Sequence, residues 1–222
     1  TYDIVATTDS TTVDTYSGRT VSSITLTAPK GAEVVTPLTT LLAADADIAT
    51  ASAEIATALG LNLPAGKTLL DYDPFESGNE ANAATKLAYE KVTTQVVNIL
   101  EKMVELAPNE AGVLDKAASA VFDYLSVQNA AVDLSDGAAG GVLATIANSF
   151  STSVTASLSA GAITGALNEI ANVNSAVASA TSATDFDDAA NTTNILDLKS
   201  SGVEVTEVME IASAGDVIGI IT

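Results

Sequence analysis

At 222 residues with 47% hydrophobic side chains, the chain is long and apolar enough to bury a sizeable core, and its composition excludes disorder. Eight Lys+Arg stand against 28 Asp+Glu, and the net charge of -20 excludes a nucleic-acid backbone as partner and disfavours anionic lipid. Cys and His are both absent, which removes disulfides, thiol nucleophiles, imidazole bases and the usual zinc ligands, and with them any Ser-His-Asp or Cys-His enzyme.

Aromatic residues make up only 4% and Trp is missing, so the core is expected to be built from Ala, Val, Ile and Leu in close helix contacts. The chain starts with Thr1 in place of Met and shows no signal peptide, which reads as a processed or excised segment.

Residues 1–28 read as two strands. Tyr2-Asp-Ile-Val-Ala and Thr20-Val-Ser-Ser-Ile-Thr-Leu-Thr27 carry β-branched residues at alternate positions, with a turn at Tyr16-Ser-Gly18-Arg between them. A lone hairpin is marginal in water, so these strands call for partners from the other end of the chain, a neighbouring domain or another copy. After the Pro29-Lys-Gly31 turn, Glu33-Val-Val-Thr36 resumes extended structure. Thr36-Pro37 then has the form of an N-cap followed by proline at the first helical position, with Leu38, Leu41 and Leu42 at helical spacing. Asp47 caps a second helix carrying Ile48, Ala51, Ile55, Ala58 and Leu59, closed by Gly60, and Leu61 to Gly78 reads as a loop.

Asn79 to Ala107 is the longest helical pattern. Tyr89, Val92, Val96, Ile99, Met103 and Leu106 form its inward face, with Glu90, Lys91, Glu101 and Lys102 off that face, and Pro108 ends it. Asn109 is expected to cap a helix with Val113, Ala117, Val121 and Leu125 inward. Asp136 starts a third bundle helix carrying Leu143, Ile146, Ala147 and Phe150, and Ser159 a fourth carrying Ile163, Leu167, Ile170 and Val177. Short connections make these four an up-down bundle. No charge occurs from Gly137 to Asn168, which passes a length test for a membrane span. Ser, Thr, Asn and Gly interrupt the stretch throughout, so a buried Ala-rich helical pair is the reading.

Strand character returns at the C-terminus, in Val203-Glu-Val-Thr-Glu-Val208 and Val217-Ile-Gly-Ile-Ile221. The fold class is therefore mainly α with a small β part (α+β). A β segment spans 1–36, a helical bundle 37–184, and a C-terminal β segment 185–222, which packs with 1–36 or with a neighbouring subunit.

The stretch LTAPKGAEVVTPLTTLL (26–42), followed by ALGLNLPAGKTLLDYDPFESG and an Ala-rich helix, resembles a module of very large secreted bacterial surface proteins of the calcium-dependent adhesin type, with RTX or cadherin-like repeats. The resemblance covers Asp14 to Met103. It implies an extracellular, non-enzymatic role in cell adhesion, biofilm or surface-layer architecture.

Asp71-Tyr-Asp73 with Glu76 is the best cluster for a hard, oxygen-seeking cation, since alternate carboxylates in a loop can converge as calcium ligands. It lacks the glycine and the twelfth-position Glu of an EF-hand loop, and a turn in which Asp73 precedes Pro74 accounts for the same residues. Asp185, Asp187 and Asp188 form a second acidic group, for which helix capping is preferred over metal. Glycoside hydrolysis by paired carboxylates needs a cleft lined by aromatics, which four Phe and five Tyr hardly supply. Gly137-Ala-Ala-Gly-Gly141 lacks the spacing and the lysine of a phosphate loop and reads as a flexible helix start.

The expected function is an extracellular structural or adhesive module, not an enzyme, with calcium as a stiffening ion and other proteins or copies of itself as partners. One alternative is a filament or surface-layer subunit in which Val217–Ile221 or Ile4–Ala6 pairs with the next subunit's sheet. A second alternative is a metal-dependent enzyme or a carrier of a small apolar ligand.

Overall fold

The computed structural model describes residues 4–7, 25–43, 47–76, 83–182 and 185–186. Within them the protein is mainly helical with a small antiparallel ribbon, as the sequence patterning predicts. The ribbon pairs β1 (Ile4–Thr7) with β2 (Thr25–Ala28) in the register Ile4–Ala28 to Thr7–Thr25. The helices are α1 (Pro37–Leu42), α2 (Ile48–Ala58), α3 (Ala83–Leu106), α4 (Val113–Leu125), α5 (Val142–Ser153) and α6 (Ala160–Ser179).

The start and stop signals explain most boundaries. Thr36 sits in extended backbone and its side chain accepts from the Thr39 N–H, while Thr39 Oγ1 accepts from the Thr36 N–H at 2.8 Å, a reciprocal capping box closed by two threonines. Asp47 caps α2 through the Thr50 N–H at 3.4 Å and the Thr50 hydroxyl at 2.9 Å. Gly60, at φ 67°, ends α2: the Leu61 N–H reaches the Ala56 carbonyl at 2.9 Å and the Gly60 N–H the Thr57 carbonyl at 3.0 Å, a Schellman closure. A Cβ at position 60 would lie 3.1 Å from Ala131 Cβ, so glycine serves both the turn and the packing there. Ser159 caps α6 through the Ala162 N–H.

In the 33–36 segment Val35 makes a single bridge and Thr36 is extended, while the Glu33 and Val34 N–H groups both turn to the Leu70 carbonyl at 2.7 and 3.3 Å. Three expectations are corrected. Asn109 does not cap α4, whose cap position is Gly112 with no side-chain hydrogen bond. Asp136 does not start α5. It closes a turn through its carboxylate to the Ala138 N–H, and Gly137–Gly141 completes that turn before the helix begins at Val142. Finally, the connection from α4 to α5 is long, spanning 126–141, and is folded into the body: the Val132 N–H bonds the Ala58 carbonyl at 2.9 Å and Leu134 is buried.

One core joins α1 to α6. Leu38, Leu41 and Leu42 of α1 meet Ile55 of α2, Ile99 and Met103 of α3, Val121 and Leu125 of α4, and Leu143, Ile146 and Phe150 of α5. Helix α3 packs on both α4 and α6, and α5 packs on the same two neighbours. That placement buries part of the polar flank of α3. Gln95, Asn98 and Lys102 are buried because α6 lies along their side of α3; Glu90, Thr93 and Thr94 are buried as well.

No described helix is long and apolar enough to cross a membrane. The expected C-terminal strands at 203–208 and 217–221, and the sheet they would form with 1–36, lie outside the described residues, as do Asp187 and Asp188.

Candidate functional site: the strand-to-helix joint

The residues from Leu26 to Leu42 form a joint between the β ribbon and the bundle. All six residues of α1 are buried, threonines included. Those threonines are spent on β2. The Thr27 N–H donates to Thr40 Oγ1 at 3.0 Å, and both the Thr40 and Thr39 hydroxyls donate to the Thr27 carbonyl, at 3.1 and 3.2 Å. Thr27 faces Val5 across the ribbon, yet it turns its main-chain groups to α1, so Val5–Thr27 is a non-hydrogen-bonded pair and the ladder runs through Ala6–Leu26 and Ile4–Ala28. Side-chain hydroxyls on a helix thus stand where a third strand would be. The Thr36 carbonyl is a second acceptor within reach of the same two protons, at 2.9 Å from Thr39 Oγ1 and 3.0 Å from Thr40 Oγ1, so each hydroxyl shares its one proton between the Thr27 and Thr36 carbonyls.

The second half of the motif braces this joint. Leu69 and Tyr72 are fully buried, and the Leu69 N–H donates to Ser52 Oγ of α2 at 3.1 Å. The Tyr72 ring meets Tyr89 of α3 edge to face at a centroid distance of 5.0 Å, and the Tyr89 hydroxyl lies 3.4 Å from Thr36 Oγ1, the cap of α1. Phe75, half exposed, lies beneath Lys86 Nζ of α3 at 4.0 Å from its centroid.

The three carboxylates expected as cation ligands lie in this loop, each with a local task. Asp71 Oδ1 accepts from the Thr68 N–H and hydroxyl, both at 2.6 Å; Asp73 Oδ1 accepts from the Phe75 N–H at 2.7 Å; Glu76 Oε2 lies 3.4 Å from Lys67 Nζ. Lys67 Nζ also donates to the Asp71 carbonyl at 3.1 Å. Among the described residues no group of three or more acidic side chains is gathered as a cation cage would need. Asp185 accepts from the Thr181 N–H and hydroxyl at 3.2 and 2.6 Å, and these bonds with that to Ser182 hold its carboxyl below the usual range.

Three further polar clusters, not read from the sequence, tie the bundle together. Asn174 of α6, fully buried, donates to the Leu134 carbonyl at 2.8 Å and the Gln95 carbonyl at 3.3 Å, and accepts from Asn98 Nδ2 at 2.9 Å; Gln95 Nε2 donates to the Asn174 carbonyl at 2.9 Å. Lys102 of α3 pairs with Glu169 of α6 and Glu105. Burial disfavours its ammonium, but the bonds to both carboxylates outweigh that and raise its pKa. Glu110, in the turn after α3, pairs with Lys116 and accepts from the Thr155 N–H and hydroxyl at 3.0 and 2.7 Å. Those partners, the Lys116 bond above all, hold its pKa at about 2.

The fold and this joint define a mainly α protein whose buried polar groups bind one element to the next. Comparison with protein-family models, with curated proteins and with solved structures returned no match to this chain.

Proposed function

We propose that the protein is an extracellular structural or adhesive module that acts by joining and spacing, without chemical turnover. The observation that carries this reading is the joint itself: the residues of the adhesin-type motif are the ones that bolt β2 onto α1 and brace α1 through Tyr72 and Tyr89. Such an arrangement couples a β element rigidly to a helical body, which suits a chain that transmits load between neighbours. The surplus of 28 acidic over 8 basic residues keeps so apolar a chain soluble in a saline exterior.

Labelling of intact cells with an antibody to this chain, paired with adhesion of beads coated with it, tests the proposal. Label on unpermeabilised cells together with beads that stick to cells or to each other supports it. Label only after permeabilisation, with beads no stickier than uncoated ones, refutes it. Assembly by strand exchange is a variant. In it a terminal strand, Val217–Ile221 or Ile4–Ala6, pairs with the next subunit's sheet.

A further inference from the structure

Helices α4 and α5 are held by large apolar side chains, Val121, Phe122 and Leu125 of one and Leu143, Ile146 and Phe150 of the other. Helix α6 gives that core Leu167 and Ile170, and its main seam, with α3, is fastened by polar pairs. Lys91 Nζ donates to the Ala180 carbonyl at 2.8 Å, so α3 supplies the cation that the last turn of α6 lacks. Further along, Gln95 Nε2 donates to the Asn174 carbonyl and Asn98 Nδ2 to Asn174 Oδ1, both at 2.9 Å, and beyond them Lys102 pairs with Glu169.

Groups of this kind regain hydrogen bonds from water when the seam opens, so it parts at a lower cost than an apolar seam of the same length. They also fix what can take the place of α6. Only a helix that presents a carboxylate, an amide and a carbonyl at the spacing of Glu169, Asn174 and Ala180 satisfies the row of Lys91, Gln95, Asn98 and Lys102. The α6 of a second copy meets that demand by construction.

The connection from α5 to α6 allows the move. Residues 154–159 join the two helices. Val154 is already extended, at φ -94° and ψ 151°, and Thr155 is held to the body by Glu110, which leaves the exposed Ala156 and Ser157 as the pivot. A short hinge between packed helices can straighten and send the second helix to a neighbouring copy, where the same contacts form again. Charge favours a meeting at this place. Two copies that each carry a net charge of -20 repel, and least so across 137–168, where no charged residue occurs and which takes in α5, the hinge and the start of α6. The one charge on α6, Glu169, is paired with Lys102.

We propose that α6 is exchanged between two copies of this chain, each seating its α6 on the other's α3 through the Lys91, Gln95, Asn98 and Lys102 pairs that a single chain makes internally. The exchange rests on the α3–α6 seam and does not depend on an adhesive role.

Heavy-isotope-labelled and unlabelled full chain, mixed in equal amounts in urea, refolded together at about 1 mM and treated with a carbodiimide, test it. The reagent condenses the Glu169 carboxyl with the Lys102 amine to an amide with loss of water, so each cross-linked peptide records whose α6 sits on whose α3. Exchange should make about half of these peptides mixed in isotope, because partners are drawn at random, and light scattering should show a dimer whose share grows with concentration. Gly-Ser-Gly-Ser inserted between Ala156 and Ser157 eases the turn back onto the same chain and should cut the mixed share at least about fivefold. Chains that stay monomeric at about 1 mM with same-isotope links alone overturn the proposal. Dimers with same-isotope links alone overturn it too, since their contact lies elsewhere, and so does a mixed share that the longer hinge leaves unchanged.

Discussion

At the scale of single residues, the polar side chains inside this protein act by completing main-chain hydrogen bonding, and each can be tested by taking away one partner. Thr40 is the clearest case, because its hydroxyl both accepts from the buried Thr27 N–H and donates to the Thr27 carbonyl. Thr40→Val keeps the shape and leaves that N–H without an acceptor, which should cost about 1–3 kcal/mol. Thr40→Ser keeps the hydroxyl and should cost less than about 1 kcal/mol. Urea midpoints with an unchanged slope measure both, and equal midpoints for the two variants would show that the hydroxyl is idle. Asn174 makes a second case. Asn174→Leu strips Leu134 of a donor and Asn98 of an acceptor, and should destabilise by about 2–5 kcal/mol. Adding Asn98→Leu removes one of the groups so orphaned, so the double variant should lose less than the sum of the two singles; strict additivity would contradict the network.

At the scale of elements, the helix signals were legible where a local device decides them. Thr36-Pro37, Asp47, Gly60 and Ser159 all mark ends that the caps and turns explain. The inward faces of α4 to α6 followed from spacing alone, since a helix against one core has one apolar stripe. What the sequence could not show is that α3 is packed from two sides. Gln95, Asn98 and Lys102 carry the composition of a solvated flank, and only the position of α6 makes them interior. The joint was half legible in the same way. The capping threonine announces itself, but Thr39 and Thr40 look like ordinary helix residues until β2 is laid beside them. Likewise the Asp71, Asp73 and Glu76 pattern is shared by turns and cation loops, and the contacts of Lys67 with the Asp71 carbonyl and Glu76 could not be read from it.

The Glu110 clasp offers an element-scale test, because it ties the α3–α4 turn to the segment after α5. Its carboxyl is held at about 2 in the fold, below the 4.5 of an unperturbed group. The stabilisation is therefore complete above about pH 4.5 and disappears as pH falls through about 2. Glu110→Gln should melt below the parent at neutral pH, with the gap narrowing beneath pH 4.5 and closing toward pH 2. A gap that stays constant across that range would mean that the ionised carboxylate does not contribute.

At the scale of the whole molecule, the net charge of -20 sets the response to salt. Two terms compete. Screening weakens the ion pairs, among them Lys102 with Glu169 and Lys116 with Glu110, and it also weakens repulsion among 28 acidic residues that only 8 basic ones offset. Exposed pairs are worth about 0–1 kcal/mol each and the enclosed ones resist screening, whereas the repulsion is summed over the entire surface. The repulsive term should dominate, so the melting temperature should rise between about 0.01 M and about 1 M sodium chloride as the screening length falls from about 30 Å to about 3 Å. Magnesium and calcium should act alike at matched ionic strength, because the 67–76 loop holds a lysine ammonium between its carboxylate and carbonyl oxygens. A melting temperature that falls with salt would mean that the internal pairs outweigh surface repulsion. A rise specific to calcium and lost in Asp71→Asn would mean that Lys67 gives way to a metal in that loop.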